Sequence, residues 1–255
     1  MSHHRKLIDG NHILHRHGIL DAYGHISMRH PLNPELFIMS RNTAPATVSS
    51  AEDLVEYKVS DADAFNPGSP EGFVERRIHS EIYKRHADIH AVVHGHSEAI
   101  VPYSITSLHL RACHHMAGFL GTDPVPVYDS AVYTQPEDDS DLMVHNESLG
   151  YGLAQHFDGG NVVTLMRGHG FTAVAESVEQ AVLRAIYTQK NAAIQTTALT
   201  ISAASGNKGE IYYLTEAEAR AAALMARWSA NRPWKLWVRE VEADEMYVNH
   251  CCFPT

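Results

Sequence analysis

Short apolar runs that alternate with segments of helical character restrict this chain to a fold in which helices cover a sheet. Residues 35–40, 89–93 and 161–166 are apolar runs of strand length, too short to form core helices. Segments with helical spacing or helix-capping signals lie between and after them. Strands and helices therefore interleave, which predicts an α/β or α+β fold with a mixed sheet.

Four segments carry the helical signals. Residues 73 to about 86 place apolar side chains at helical spacing. Residues 49–53 carry a capping-box signature for a short helix. Ser177 begins a long, alanine-rich helix that runs to about Leu199, and Thr215 begins another that ends before Pro233.

Composition and charge exclude several classes of protein. The chain of 28.3 kDa can bury one large core, and two small domains are possible but not required. A net charge of −10 without a basic block argues against nucleic acid and anionic membranes as partners. We find no secretory signal and no apolar run near the roughly 20 residues that cross a bilayer. Cys113, Cys251 and Cys252 form no disulfide framework, so we expect a cytoplasmic protein.

Histidines are abundant, 19 in 255 residues, so only their positions carry information. His94 and His96 follow a predicted strand, and alternate residues of a strand face the same side. Both rings can therefore reach one ion, and Gly95 between them leaves room for another element. His169 lies between two glycines after another predicted strand, where the backbone is free to turn. Each pattern is also compatible with a purely structural histidine.

The candidate carboxylate ligand is Glu75. It lies near the start of the predicted helix that leads to His94, where the helix dipole favours negative charge. Spacing alone does not distinguish it from Glu71 or Glu81, and a solvated charged face is the alternative. Three imidazoles and one carboxylate suit zinc, manganese, iron or nickel and leave room for substrate oxygens.

Three motifs in this order resemble those of the class II aldolase/adducin family. They are the segment around Glu75, the His94-Gly95-His96 segment, and Gly168-His169-Gly170, and residues 24–29 are similar to the family's G-N-x-S-x-R. The resemblance covers roughly residues 18–199. It implies that His94, His96, His169 and Glu75 are the metal ligands, and that Glu75, which binds the metal in the empty site, moves off it to act as the catalytic acid and base.

The resemblance also implies an architecture. The fold expected from it is a three-layer α/β/α sandwich with a central mixed, largely antiparallel sheet. We expect residues 1–255 to form a single domain of this kind, with residues 206–255 as a C-terminal helical extension. The family further implies a homotetramer whose active sites lie between subunits.

Two departures from the family's aldolases concern the phosphate of their substrates. Those enzymes hold it with a T-P-S-G turn and with a Ser-Ser pair before the catalytic glutamate. Here the turn reads Ser-Arg-Asn-Thr at residues 40–43, and Phe73 and Val74 replace the serines. Because a phosphate needs several donors and Phe73 and Val74 offer none from their side chains, we expect no phosphate site.

Further departures enrich the expected site in imidazole and guanidinium groups. His115 stands where the aldolases have a proton-donating tyrosine, and an imidazole exchanges protons more readily near neutral pH. His25 replaces the asparagine of G-N, and Arg41 lies in the altered turn. We therefore predict Glu75 and His115 as catalytic residues and His25, Ser27 and Arg41 as substrate-binding residues. Phe73 and Phe119 are candidates for the walls of a planar pocket.

These departures favour a decarboxylase over a sugar-phosphate aldolase. The sequence resembles the branch of metal-dependent decarboxylases that act on hydroxylated pyridine or benzene dicarboxylates through a metal-stabilised carbanion or enolate. The predicted cofactor is a divalent ion, manganese or zinc, with iron, cobalt or magnesium as alternatives. An aldolase or dehydratase of a non-phosphorylated hydroxy-keto acid is the second hypothesis. A non-catalytic, adducin-type interaction module is the third, and such modules tend to lose the ligands.

Overall fold

A seven-stranded sheet forms the centre of the computed structural model, which describes residues 3–136, 138–206 and 210–251. Within these ranges the strands are β1 (His25–Arg29), β2 (Leu36–Ser40), β3 (Leu54–Lys58), β4 (Ala91–Gly95), β5 (Val127–Tyr128), β6 (Val163–Met166) and β7 (Gly170–Ala175). The α-helices are α1 (His3–Arg16), α2 (Arg76–Arg85), α3 (Glu147–Gln155), α4 (Val178–Ala204), α5 (Glu216–Ser229) and α6 (Asn231–Glu242).

The strand order is β3-β2-β1-β4-β7-β6-β5. Every pairing is antiparallel except that of β5 with β6, so the sheet is mixed and largely antiparallel. The central strand β4 lies between β1 and β7, and its register places His94 opposite His25 on one side and Thr172 on the other. The order therefore brings three distant segments of the chain together at one end of β4.

Helices cover both faces of the sheet. One apolar core joins α1, α4 and α6 to the face that carries Val93, and the other joins α2 and α3 to the face that carries Val92. Consecutive residues of β4 thus point into opposite cores, as the pleat of a strand requires. The predicted α/β class, with three layers and a mixed, largely antiparallel sheet, is confirmed.

Most elements expected from the sequence are present within one to five residues of their predicted ends. The segment at residues 49–53 forms a short 3₁₀ helix, Ala51–Asp53, with both capping-box contacts in place. The sequence does not predict α6 as a separate helix, because proline commonly ends a helix, whereas Pro233 occupies the first turn of this one, where proline is tolerated. Helices α1 and α3 and strands β1, β3, β5 and β7 are not predicted either.

Both C-terminal helices pack against the rest of the molecule, α5 against a 3₁₀ helix at His115–Leu120 and α6 against α1 and α4. Trp234 and Trp237 are buried in the core shared with α1 and α4. The assignment of residues 206–255 as an extension of a single domain stays a prediction, and Cys252 lies outside the described residues. No helix in the described part of the chain combines the length and the apolar character needed to span a membrane.

Candidate metal centre

The end of β4 is shaped by glycines that allow close backbone approach. A Cβ atom on Gly95 would overlap the carbonyl oxygen of Ile19, and one on Gly170 would overlap the carbonyl oxygen of Gly95. The missing side chains let the loop before β1 and the start of β7 pack directly against β4. Gly168, with a φ of 67°, turns the chain between β6 and β7, and this turn carries His169 to the same place.

Three imidazoles and one carboxylate converge there. The ligand atoms of Glu75, His94, His96 and His169 all lie within 4.8 Å of one another. His96 Nε2 is 3.1 Å from His94 Nε2 and 3.2 Å from His169 Nε2. Glu75 Oε2 is 3.7 Å from His94 Nε2 and 3.6 Å from His169 Nε2. Ligands about 2.0–2.1 Å from a tetrahedral zinc ion are roughly 3.3–3.4 Å apart, so this spacing fits a bound cation.

The second nitrogens of the rings also point to a cation. His96 Nδ1 donates to the Asp21 carboxylate at 3.1 Å, and His169 Nδ1 donates to the Leu142 carbonyl at 3.1 Å. His94 Nδ1 makes a longer contact of 3.5 Å with the Thr172 hydroxyl. With their protons on Nδ1, the rings present Nε2 lone pairs to one another with no proton between them. A positive ion relieves that repulsion, and such engaged second nitrogens are typical of metal-binding histidines.

Burial keeps the rings of His94 and His169 neutral. It lowers the pKa of His94 well below 6.5, and the neighbouring His169 ring acts in the same direction. Burial also lowers the pKa of His169, although Glu75 opposes that change. For Asp21, burial acts to raise the pKa, but the N–H groups of Tyr23 and Gly24, together with His96, lower it overall. A neutral imidazole beside an ionised carboxylate is the form that binds metal.

Glu75 is distinguished from the other two carboxylates by its surroundings. It lies at the N-cap position of α2, is 8% exposed, and its Oε1 accepts a hydrogen bond of 2.9 Å from the Val144 N–H. Glu81 is more deeply buried, but its carboxylate pairs with Lys84 and Arg77. Glu71 is exposed. The structure therefore selects Glu75 from the three candidates that spacing left open.

The loop at residues 141–144 holds two of the ligands, and sequence reasoning missed it. Its Leu142 carbonyl accepts from His169 and its Val144 N–H donates to Glu75. Leu142 has a φ of 67°, a conformation that costs a residue with a Cβ atom about 1–2 kcal/mol. Backbone groups leave no motif in a sequence, so only the fold could reveal this role.

A cavity of about 530 Å³ opens beside the four side chains, within the usual size range of small-molecule sites. Glu75, His96 and His169 line one part of it, and His25, Asn42 and Asp141 contribute further polar groups. The remaining walls are largely apolar side chains, those of Tyr23, Phe73, Val74, Leu142 and Met143. Phe73 is thus at the predicted position, whereas Phe119 lines a separate cavity between α4 and α5.

The predicted substrate-binding residues lie at different depths. His25 lines the cavity and its ring stands 4.8 Å from that of Phe73, centroid to centroid. Ser27 is fully buried behind it, with its hydroxyl bonded to His79 and Tyr83. The Arg41 guanidinium is paired with Asp53 at 2.9 Å, and Arg41 is not among the described residues that line the cavity. The substrate contacts of Ser27 and Arg41 stay predictions.

His115 lies apart from the cavity of its own chain. It begins a 3₁₀ helix, His115–Leu120, and is exposed, and this helix packs against α4 and α5. It does not line the cavity beside Glu75 among the described residues. Its catalytic role is therefore not assembled within one chain and stays a prediction.

The fold and the cluster define a class of protein in which three imidazoles and one carboxylate, a set that could hold a metal ion, meet at the end of a central strand. Residues 5–196, more than half of the chain, match the Class II Aldolase and Adducin N-terminal domain. The chain belongs to the class II aldolase and adducin family. The resemblance inferred from the motifs is thereby confirmed.

Within this family the chain is similar to decarboxylases. It is 48% identical to Decarboxylase tropJ of Talaromyces stipitatus over 96% of both chains. It is 33% identical to the 3,4-dihydroxyphthalate decarboxylase of Arthrobacter keyseri, over 68% of this chain and 69% of that one. Decarboxylases are lyases, so the predicted enzyme class agrees with that of these relatives.

Solved structures share the fold. An aldolase II superfamily protein from Pseudomonas syringae superposes with a TM-score of 0.73 at 21% identity, covering 96% of this chain and 93% of the other. The L-fuculose 1-phosphate aldolase of Glaciozyma antarctica gives a TM-score of 0.70 at 18% identity, covering 96% and 91%. At these identities the likeness shows the architecture alone.

Proposed function

We propose that this chain is a divalent-metal-dependent decarboxylase of an ortho-hydroxylated aromatic dicarboxylate, with a benzene or pyridine ring. The observation that carries the proposal is the convergence of three imidazoles and Glu75 beside a cavity with apolar walls. The decarboxylase relatives support the reaction, and the 3,4-dihydroxyphthalate named for one of them is a member of the proposed substrate class. Phe73 and Val74, which replace phosphate-binding serines, support a substrate without phosphate.

A cation bound by His94, His96, His169 and Glu75 supplies a Lewis acid that stabilises the negative charge left when CO2 departs. The proposed ion is manganese or zinc, with iron, cobalt or magnesium as alternatives, because this donor set accepts several ions. Asp21 and Leu142 fix the orientation of two of the imidazoles, so the donor atoms are in place before substrate arrives.

Glu75 and the cavity walls have separate tasks in the proposed reaction. The carbon–carbon bond to the carboxylate ortho to the hydroxyl breaks, its electron pair stays on the ring carbon, CO2 leaves, and a proton replaces it. Glu75 is anchored through Oε1 by Val144 and keeps Oε2 towards the imidazoles. Once substrate oxygens replace it as a ligand, Oε2 would be free to hold and deliver a proton. Phe73 and Met143 pack against the planar ring and exclude water from it.

The test of this proposal is release of CO2 from 3,4-dihydroxyphthalate by purified protein. We expect release that depends on added manganese or zinc and stops when a chelator is present. Phthalate, which has both carboxylates but no hydroxyl, is the matched control and should not react. Absence of metal-dependent CO2 from hydroxylated aromatic dicarboxylates would overturn the proposal, and formation of a keto acid from a hydroxy-keto acid would favour the aldolase hypothesis.

His115 enters the proposal through a neighbouring subunit. We propose a homotetramer in which the exposed His115 of one chain reaches the cavity of the next and shares proton delivery with Glu75. Its exposure and its distance in the fold from the cavity of its own chain support this arrangement.

Subunit complementation tests the shared site. His115→Ala and His169→Ala chains should each be inactive alone. Oligomers formed by coexpressing both should recover activity in those sites that combine the intact His169 of one chain with the intact His115 of the other. A monomeric mass in light scattering, or mixed oligomers without activity, would contradict the arrangement.

A further inference from the structure

A buried chain of hydrogen bonds runs from the interior of the α2 layer to His25 at the cavity. Tyr83 and Ser27 lie 2.8 Å apart through their hydroxyl oxygens, and Ser27 Oγ is 2.6 Å from His79 Nδ1. His79 Nε2 is in turn 2.7 Å from His25 Nδ1. All four residues are 2% exposed or less, so no solvent competes for these bonds.

The chemistry of the four groups determines which atom donates in each of these hydrogen bonds. Within the described residues, Ser27 is the one side-chain partner of the Tyr83 hydroxyl. If Tyr83 accepted from Ser27, its buried O–H would have no side-chain acceptor, so we assign Tyr83 as the donor to Ser27. The Ser27 hydroxyl then donates its own proton to His79 Nδ1. His79 must carry its proton on Nε2 and donate it to His25 Nδ1.

The direction of these bonds leaves His25 with one possible neutral form. Its Nδ1 is an acceptor, so its proton lies on Nε2. This Nε2 atom is buried and has no hydrogen-bond partner among the described residues, although the ring lines the cavity. A buried donor without an acceptor costs about 1–3 kcal/mol, which a ligand oxygen in the cavity would recover.

Burial keeps the hydrogen-bonded side chains of this series uncharged. It lowers the pKa of His79 from 6.5 to about 3 and raises the pKa of Tyr83 above its ordinary value. Neither an imidazolium at His79 nor a phenolate at Tyr83 therefore competes with the neutral arrangement near neutral pH.

We propose that Tyr83, Ser27 and His79 are positioning residues that fix His25 as an Nε2–H donor, and that His25 donates to a carboxylate oxygen of the substrate. The identity of that substrate rests on the proposed function. The arrangement makes the cavity selective for an acceptor at this point, because a ligand without one leaves the His25 donor unpaired. In this arrangement Ser27 acts on His25 through His79.

Nitrogen-15 NMR of zinc-loaded protein with isotope-labelled histidine reports which ring nitrogen of His25 carries the proton. It tests the tautomer without any assay of activity. We expect His25, assigned with a His25→Gln variant, to be protonated at Nε2 and not at Nδ1. Ser27→Ala removes the donor to His79 and should convert His25 to a mixture of tautomers. Ser80→Ala is the matched control, because Ser80 is equally buried, neighbours His79 in sequence and has no hydrogen-bond partner among the described residues.

A second variant covers the case in which Ser27→Ala does not fold. His79→Gln places an amide that can donate or accept at His25 Nδ1, so the preference for one tautomer should again be lost. Protonation of His25 at Nδ1 in the unmodified protein, or an unchanged tautomer in both variants, would overturn the proposal.

Ligand binding separates positioning from a general structural role. Ser27→Ala should weaken binding of 3,4-dihydroxyphthalate by roughly tenfold, the change expected for loss of one hydrogen bond to a charged group. Binding of catechol, which lacks both carboxylates, should not change. An equal loss of affinity for both ligands would refute the role of this network in carboxylate recognition. Failure of CO2 release with the tautomer result intact would overturn the proposed function alone.

Discussion

Leu142 shows how single residues outside the ligand set determine the geometry of the site. Its side chain lines the cavity, yet its main contribution is a carbonyl group that fixes the ring of His169. The left-handed backbone that aims this carbonyl is unfavourable for leucine. Strain of this kind persists where the surrounding structure imposes it, and it is common at functional sites.

Replacements of Leu142 separate backbone strain from side-chain packing. Leu142→Ala and Leu142→Gly lose the same packing, but glycine adopts a positive φ without steric cost. We therefore expect the glycine variant to be more stable than the alanine variant by up to about 1 kcal/mol, the reverse of the usual order. Urea denaturation of the two variants measures the difference, and an alanine variant of equal or greater stability would show that the strain is absent.

The sequence predicted those residues of the site that carry a motif. His94 and His96 share a strand period, and His169 is marked by its flanking glycines, so their positions were accessible from the sequence. Asp21 and the Leu142 carbonyl were not, because each meets its histidine across a long separation along the chain that only the folded sheet closes. The depth of Ser27 was also hidden, since a serine in a strand can face either the cavity or the interior.

At the scale of elements, β4 is the support of the site. Its neighbours β1 and β7 bring His25 and Thr172 to either side of His94, and the turn before β7 brings His169. The loop before β1 adds Asp21 because Gly95 lets the backbone at Ile19 approach closely. One glycine therefore couples the packing of this loop to the orientation of His96.

Gly95→Ala tests that coupling. The added Cβ meets a backbone oxygen that cannot move without the loop, so we expect a loss of about 1–3 kcal/mol of stability and weaker zinc binding. Gly68→Ala is the control, since its nearest contact is an ordinary 3.5 Å from a side-chain atom. Thermal unfolding and zinc titration report the two effects. A Gly95→Ala protein that binds zinc as tightly as the unmodified one would contradict the coupling.

At the scale of the whole molecule, the many histidines divide into buried and exposed groups with different consequences. His12 donates through Nε2 to the Val48 carbonyl at 2.7 Å and is 1% exposed. Burial lowers its pKa from 6.5 to about 4. Such residues are neutral in the folded protein but take up protons once the chain unfolds.

Stability without metal should therefore depend on pH in a defined direction. Between about pH 6.5 and 4 the unfolded chain protonates His12 while the folded chain does not, so stability is greatest above pH 6.5 and falls as the pH falls. His12→Gln should reduce this slope by up to about 1.4 kcal/mol per pH unit relative to the unmodified protein. Urea midpoints of the two proteins across this range measure the slopes, and equal slopes would contradict a neutral, buried His12.

The central claim is that Glu75, His94, His96 and His169 bind one divalent cation. Inductively coupled plasma mass spectrometry, which measures the metal content per chain, tests it most directly. The account predicts about one manganese or zinc ion per chain in the unmodified protein and in His90→Ala. It predicts much less in His96→Ala and in His169→Ala, with circular dichroism confirming that both variants are folded. An unmodified protein that binds no ion when either metal is supplied, or folded variants that retain a full equivalent, would contradict it.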